Sequence, residues 1–294
     1  MTACPICESR QSKLYLDDGE ETLDAASLGS SRKLICHGRI LRCLVCGFGF
    51  RQTRSSPAEL AELYRGMDTV VYESEDSGRV KTSGLHLKIV HRYVKPGRII
   101  DIGCASGAFL DLAQMAGWQV VGLEPSALLC EKAQTRLQGR GQVLCETLEQ
   151  ANLGKSCFDA VTLWDVLEHI PNPVTFLQRC EALLKPGGHL FLNVPNLESK
   201  EARLLHSRWP LLLAEHLNYF TPKSLKICGD RANVQWIRFR QRPSFFSIDY
   251  VLYRLSQHGI PGAALGRKLA SHSLGQLTVP VYLGEICAVG RCRR

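Results

Sequence analysis

The sequence predicts an α/β fold, a parallel sheet covered on both faces by helices, preceded by a small cysteine-bearing unit. Three observations carry this. From Gly97 onward, short apolar runs of strand type alternate with helix-periodic segments, the order that builds a parallel sheet. A glycine-bearing turn, Asp101 to Gly107, joins the first of these runs to a helix. Ahead of the alternation stand two C-x-x-C pairs. With 294 residues the chain has room for one α/β domain of ordinary size plus a small appendage.

The pairs are Cys4-Pro5-Ile6-Cys7 and Cys43-Leu44-Val45-Cys46, the second followed by Gly47. A C-x-x-C pair wraps two thiolates and the amides between them around one ion, and two pairs complete a tetrahedral shell suited to structural zinc. A redox dithiol is the alternative. A closed four-thiolate shell leaves no open position, so no catalysis is expected there. The ion would fold a segment too small to hold a core. Lys13-Leu14-Tyr15-Leu16 and Gly38-Arg39-Ile40-Leu41-Arg42 suit the arms of a hairpin between the pairs, with a polar loop from Asp17 to Ser31. Cys36-His37 is a candidate substitute ligand. Ser56-Pro57 starts a helix, Ser56 as N-cap and Pro57 at the first helical position. The expected domains are therefore 1–55, zinc-binding, and 56–294.

Arg98–Ile102 reads as the first strand, Ala108–Ala116 as a helix, Gln119–Leu123 as the second strand and Ser126–Leu137 as the next helix. Gln142–Cys145, Phe158–Trp164 and His189–Val194 follow as strands, with a helix over Val174–Leu184. Thirteen cysteines without a secretion signal argue against a disulfide framework. Cys104, Cys130, Cys145, Cys157, Cys180 and Cys228 are read as small buried hydrophobes.

The turn Asp101-Ile102-Gly103-Cys104-Ala105-Ser106-Gly107 lies at the carboxyl end of the first strand, where open α/β sheets bind ligands. Gly103 and Gly107 remove side chains where backbone would approach a ligand. Asp101 can orient the turn and a bound amino or carboxyl group. Glu124 closes the second strand and is placed to accept both hydroxyls of a ribose. A dinucleotide site competes, but its G-x-G-x-x-G pattern meets Ala105 and Ala108 at the second and third glycine positions.

These residues resemble class I S-adenosylmethionine-dependent methyltransferases, and within them a zinc-ribbon-bearing subgroup that includes sugar and antibiotic-pathway enzymes. The resemblance rests on residues 101–107, Glu124, Trp164-Asp165-Val166-Leu167-Glu168-His169, Leu184-Lys185-Pro186-Gly187-Gly188 and Glu215-His216-Leu217-Asn218-Tyr219-Phe220-Thr221. It implies a Rossmann-like seven-stranded sheet whose last strand runs antiparallel, with Val234–Phe239 as strand six and Val281–Val289 as strand seven. It implies S-adenosyl-L-methionine as cofactor, held by Asp101, Gly103, Cys104, Ala105, Gly107 and Glu124, with Leu148, Trp164 and Asp165 bordering its adenine end. His216, beside Glu215, and His169 are the candidate bases or acceptor anchors, and Tyr72 and Tyr219 would shape the acceptor pocket. The segment 196–222 would lie on the acceptor side, and 243–278 would form an insertion between the last two strands. Within it Ile248, Val251, Leu252 and Leu255 recur at helical spacing. That helix suits packing on the sheet, a homodimer contact, a substrate lid or a membrane-touching helix.

The expected acceptor is a small or medium-sized metabolite methylated on oxygen, carbon or nitrogen. Methylation of RNA or another macromolecule is the second reading, and an inactive cofactor-binding protein the third. The net charge of +8 sits wholly in residues 231–294, which hold ten basic and two acidic residues. That face suits an anionic acceptor, a membrane surface, nucleic acid or simply a solvated exterior. The Asp/Asn-Pro-Pro-aromatic motif used for base amino groups is missing after strand four, where Trp164-Asp165-Val166-Leu167 stands, so nucleic acid is not expected. No apolar run reaches membrane-spanning length, and the N-terminus has no signal-peptide pattern, so the expected location is cytoplasmic.

Overall fold

A computed structural model describes residues 2–17, 19, 38–51, 76–213, 215–257 and 272–293. The helix start at Ser56, the boundary after residue 55, Cys36-His37 and Tyr72 lie outside the described residues. In chain order, β1 (Ser12–Asp17), β2 (Arg39–Cys43) and β3 (Gly49–Arg51) belong to the N-terminal unit. Then come α1 (Asp76–Val90), β4 (Arg98–Ile102), α2 (Ala108–Met115), β5 (Gln119–Leu123), α3 (Ala127–Leu137) and β6 (Gln142–Leu144). β7 (Phe158–Trp164), α4 (Pro173–Leu183), β8 (Leu184–Pro195), α5 (Lys200–Leu205), β9 (Asn218–Tyr219) and α6 (Pro222–Arg231) follow. β10 (Val234–Arg240), β11 (Ser244–Ser247), α7 (Ile248–Gln257), α8 (His272–Gly275), β12 (Thr278–Val281) and β13 (Glu285–Cys292) complete the order.

Seven strands form one sheet in the order β10-β13-β8-β7-β4-β5-β6. β13 pairs antiparallel with both β8 and β10, and the remaining pairings are parallel. This is the Rossmann-like α/β arrangement that the alternation predicts. Ile99, Ile100, Val161, Leu163, Leu190 and Leu192 are fully buried, so the central strands are covered on both faces. No helix among the described residues is long and apolar enough to cross a membrane.

Three expectations need correction. The last strand begins at Glu285 rather than Val281: residues 278–281 instead pair with β11 in a separate ribbon. Pro280 lacks the N–H that a central ladder requires, and Gly284 turns the chain at φ +88 before β13 starts. The fifth strand spans Leu184–Pro195, so Lys185–Gly188 join β8, with the register shifting between Phe158 and Ala160 of its neighbour. Cys130 and Cys145 are joined as a disulfide, with Cα atoms 5.6 Å apart. The parallel crossover brings the face of α3 against the chain leaving β6, a proximity that a gap of 15 residues does not announce. Cys104, Cys180 and Cys228 are buried thiols as expected, whereas Cys157 is half-buried.

The N-terminal unit is not a free-standing bead. β1, β2 and β3 form an antiparallel sheet whose fourth strand is β9, from the far end of the chain. Cys4, Ile6, Phe48 and Phe50 lie in one core with Leu167, Leu225 and Cys228.

Candidate active site

The turn after β4 is built by backbone conformation. Gly103, Ala105 and Gly107 all have positive φ, at 73°, 49° and 77°. The structure revises the reason for the glycines. A Cβ on Gly103 would lie 2.6 Å from Val166 Cγ2, and one on Gly107 3.1 Å from Ala133 Cα on α3. The space is taken by the protein's own packing, which closes the turn against the β7 loop and α3. Gly103→Val is therefore expected to cost about 2 kcal/mol of stability from strain and clash, read as a lowered melting temperature.

Two carboxylates organise this turn. Glu124 accepts from the amides of Ala105 and Ser126, each at 2.9 Å. Asp101 Oδ1 accepts from Thr162 Oγ1 at 2.6 Å on the neighbouring strand. Burial raises both carboxyls; Asp101, 3 % exposed, is pushed up to about 7 despite the Thr162 hydroxyl.

A cavity of about 390 Å³ opens from the turn. Asp101, Gly103, Cys104, Ala105, Trp164 and Asp165 line one end. Glu124 and Gly107 stand behind that lining, and Leu148 is buried in the core with Ile102 and Leu123, away from the cavity wall. Trp164 is stacked on His86 with ring centroids 3.8 Å apart, and its buried indole N–H has no hydrogen-bond partner among the described residues. Burial drives His86 down to about 3, so it is a neutral stacking platform.

Asp165, at φ 58°, accepts from Asn193 Nδ2 at 2.7 Å. It also shares a hydrogen bond with Glu285, which burial and the neighbouring Asp165 push up to about 8. Burial and like charge thus oppose the simultaneous ionisation of the two carboxyls.

The other end of the cavity is largely apolar: Leu211, Phe245, Phe246, Tyr250 and Val251 line it, with Arg254 and His216. Helix α7 and the β11–β12 ribbon thus cover the cavity. His216 is 5 % exposed, and its Nδ1 donates to the Leu211 carbonyl at 2.9 Å. His169 Nδ1 donates to the Glu215 carbonyl at 3.0 Å. The two rings meet edge to face at 4.8 Å, and burial lowers His169 to about 4. His216 lines the cavity; His169, Glu215 and Tyr219 do not. Tyr219 is fully buried, between Trp209 and His216.

The sequence reading missed Arg79, Thr82, Ser83 and His86, which face the cavity from α1. Their spacing of three, four and seven residues is a polar stripe on one helical face, a signal available in the sequence. It also missed Glu285, which only the antiparallel return of β13 brings beside Asp165.

At the N-terminus the four cysteines converge. Cys4 Sγ lies 3.6 Å from Cys46 Sγ, and Cys7 Sγ 3.5 Å from Cys43 Sγ. One sulfur from each lies within 4.8 Å of the others. Tetrahedral zinc at about 2.3 Å from each thiolate would hold sulfurs about 3.8 Å apart, so the donor set fits that ion. Hydrogen bonding to Cys46 pulls the Cys4 thiol down to about 5.

Comparison with known proteins gives a consistent result. The sequence family described as a methyltransferase domain matches residues 80–238. A ubiquinone biosynthesis O-methyltransferase of Vibrio cholerae is 34% identical over 107 residues, covering 35% of this chain and 44% of that protein. The mitochondrial enzyme of the same description from Rattus norvegicus is 36% identical over 109 residues, covering 34% of this chain and 31% of its own. The chain thus spans less than half the length of these relatives. Among solved structures, the YcgJ protein of Bacillus subtilis superposes with a TM-score of 0.51 at 15% identity, covering 73% of this chain and 99% of that one. The [4+2]-cyclase SpnF gives 0.51 at 18% identity, covering 71% and 80%. These two show the shared fold alone.

Proposed function

Because the chain belongs to the methyltransferase-domain family, we propose that it transfers a methyl group from S-adenosylmethionine to a small or medium-sized acceptor held in the 390 Å³ cavity. The observation that carries this reading is the continuity of that cavity, which joins the Asp101–Ser106 turn to His216 and the apolar wall of β11 and α7. The residues fit the cofactor: a buried carboxylate closing β5, a second at the turn, and an indole N–H on the cavity wall without a partner among the described residues.

When bound, the cofactor supplies an electrophilic methyl on a sulfonium. Asp101 would hold its amino group and Glu124 its ribose, while Glu124 also fixes the amides of Ala105 and Ser126. The apolar walls exclude water and align the acceptor. His216 Nε2, fixed by the Leu211 carbonyl, would take the proton from an acceptor hydroxyl. An oxygen acceptor is favoured by that base and by the name of the matched relatives. The Cys4, Cys7, Cys43 and Cys46 site would hold structural zinc, with one zinc per chain expected in elemental analysis.

Incubation with methyl-labelled S-adenosylmethionine and a fractionated cell extract tests the reaction. Label should enter a low-molecular-mass compound; label confined to RNA or protein would contradict the acceptor class. Cofactor binding should also follow pH. If the anionic form of Asp101 binds the amino group, binding releases a proton below its value of about 7. Affinity for S-adenosylhomocysteine should then fall about tenfold per unit below that value and level off above it. Asp101→Asn should bind weakly and without this dependence.

A further inference from the structure

We propose that the N-terminal thiolate centre is a positioning element of the acceptor half of the cavity: the ion it binds fixes the segment 215–221 that carries His216, while the cofactor turn stands independently of it. This rests on the reading of the cysteines as a zinc site and of His216 as an acceptor-side group.

The chain of contacts is short. The second knuckle ends at Gly47, φ 75°, and leads directly into β3. β3 pairs with β9, Gly49 opposite Tyr219 and Phe50 opposite Asn218, and Arg51 N donates to the Leu217 carbonyl at 2.8 Å. Thr221 Oγ1 donates to the Cys46 carbonyl at 3.1 Å, and Lys223 Nζ to the Val45 carbonyl at 2.5 Å. The first knuckle is tied in as well, through Arg231 Nη1 to the Ile6 carbonyl at 2.7 Å.

The opposite side of the same segment holds the histidines. Leu217 N donates to the Glu168 carbonyl at 2.9 Å, and Asn218 Nδ2 to the Ile170 carbonyl at 2.6 Å. His169 is held by the Glu215 carbonyl. Residues 215–221 are therefore a short ribbon gripped between the knuckle and the turn at 167–170. A two-residue strand cannot hold itself in place. By contrast, the hydrogen bonds that fix the cofactor turn come from Leu123, Glu124 and Thr162, on or directly beside the central strands.

The test compares the full zinc-loaded chain with the same chain stripped by a chelator, using amide hydrogen exchange and calorimetry with S-adenosylhomocysteine. Exchange over 215–221 should accelerate at least about tenfold, while peptides over 101–107 and the affinity for S-adenosylhomocysteine stay within about twofold. Unchanged exchange over 215–221 would overturn the proposal. So would equal loosening of 101–107 with loss of S-adenosylhomocysteine binding, since the metal would then support the whole fold. Gly49→Val gives a second arm that leaves the thiolates alone. A Cβ there lies 2.9 Å from Leu197 Cδ2 and 3.1 Å from Tyr219 Cβ. That variant should loosen 215–221 with zinc still bound, and an unmoved ribbon would count against the coupling. Failure of the native, zinc-loaded chain to bind S-adenosylhomocysteine would instead strike the methyltransferase reading, so the two failures are separable.

Discussion

Glu124→Ala is expected to weaken S-adenosylhomocysteine binding at least about a hundredfold, from the loss of charge-assisted hydrogen bonds worth about 1.5–3 kcal/mol each. The carboxylate does two things at once. It accepts the Ala105 and Ser126 amides, which fixes the turn at one end and the start of α3 at the other. It is also the acid that would accept the ribose hydroxyls, where no other side chain closes β5. Truncation leaves two amides without their acceptor and removes the sugar's partner. Calorimetry on the folded variant checks the affinity, and a thermal melt separates it from loss of structure. Near-native affinity would remove Glu124 from the cofactor site.

His216→Ala should lower kcat for methyl transfer about a thousandfold with S-adenosylhomocysteine affinity unchanged, the range for loss of a positioned general base. The geometry ranks the two histidines. His216 lines the cavity and has its Nδ1 held by the Leu211 carbonyl, which sets its ring orientation there. His169 stands behind it, 4.8 Å away ring to ring, and holds the Glu215 carbonyl. His169→Ala should therefore cost only about tenfold, through misplacement of His216. Equal losses in both variants would reject this ranking.

Much of the fold was legible because the central strands carry their own signal. Arg98–Ile102, Gln119–Leu123 and Phe158–Trp164 are bounded in the structure where the apolar runs are bounded in the sequence. Strands buried on both faces read as near-continuous apolar runs, and the buried polar pair within these, Asp101 and Thr162, is joined by a hydrogen bond. The β12–β13 boundary was not legible from hydrophobicity alone, since Val281 is as apolar as the residues of β13; Pro280 and Gly284 held the information. The Cys130–Cys145 pairing, the Asp165–Glu285 contact and the sharing of β9 with the N-terminal sheet depend on long-range register, which no local pattern encodes.

The site divides the same way. Asp101, Trp164 and His216, singled out in the sequence by their strand ends and motif, line the cavity, while Glu124 does not. The stripe of Arg79, Thr82, Ser83 and His86 was present in the sequence, but its helix gave no reason to single it out until β4 and β7 placed the cavity beside it. Tyr219 and Leu148 went the other way. Their positions near the motifs suggested contact with ligand, and the structure places both side chains in the core.

The central claim is that the bend after β4 receives an adenosyl compound. Isothermal titration of the purified chain with S-adenosylhomocysteine, run beside a nicotinamide dinucleotide, tests it directly. The former should saturate one site and the latter none, with the heat of binding lost in Glu124→Ala. Saturable binding of the dinucleotide with no uptake of S-adenosylhomocysteine would contradict it.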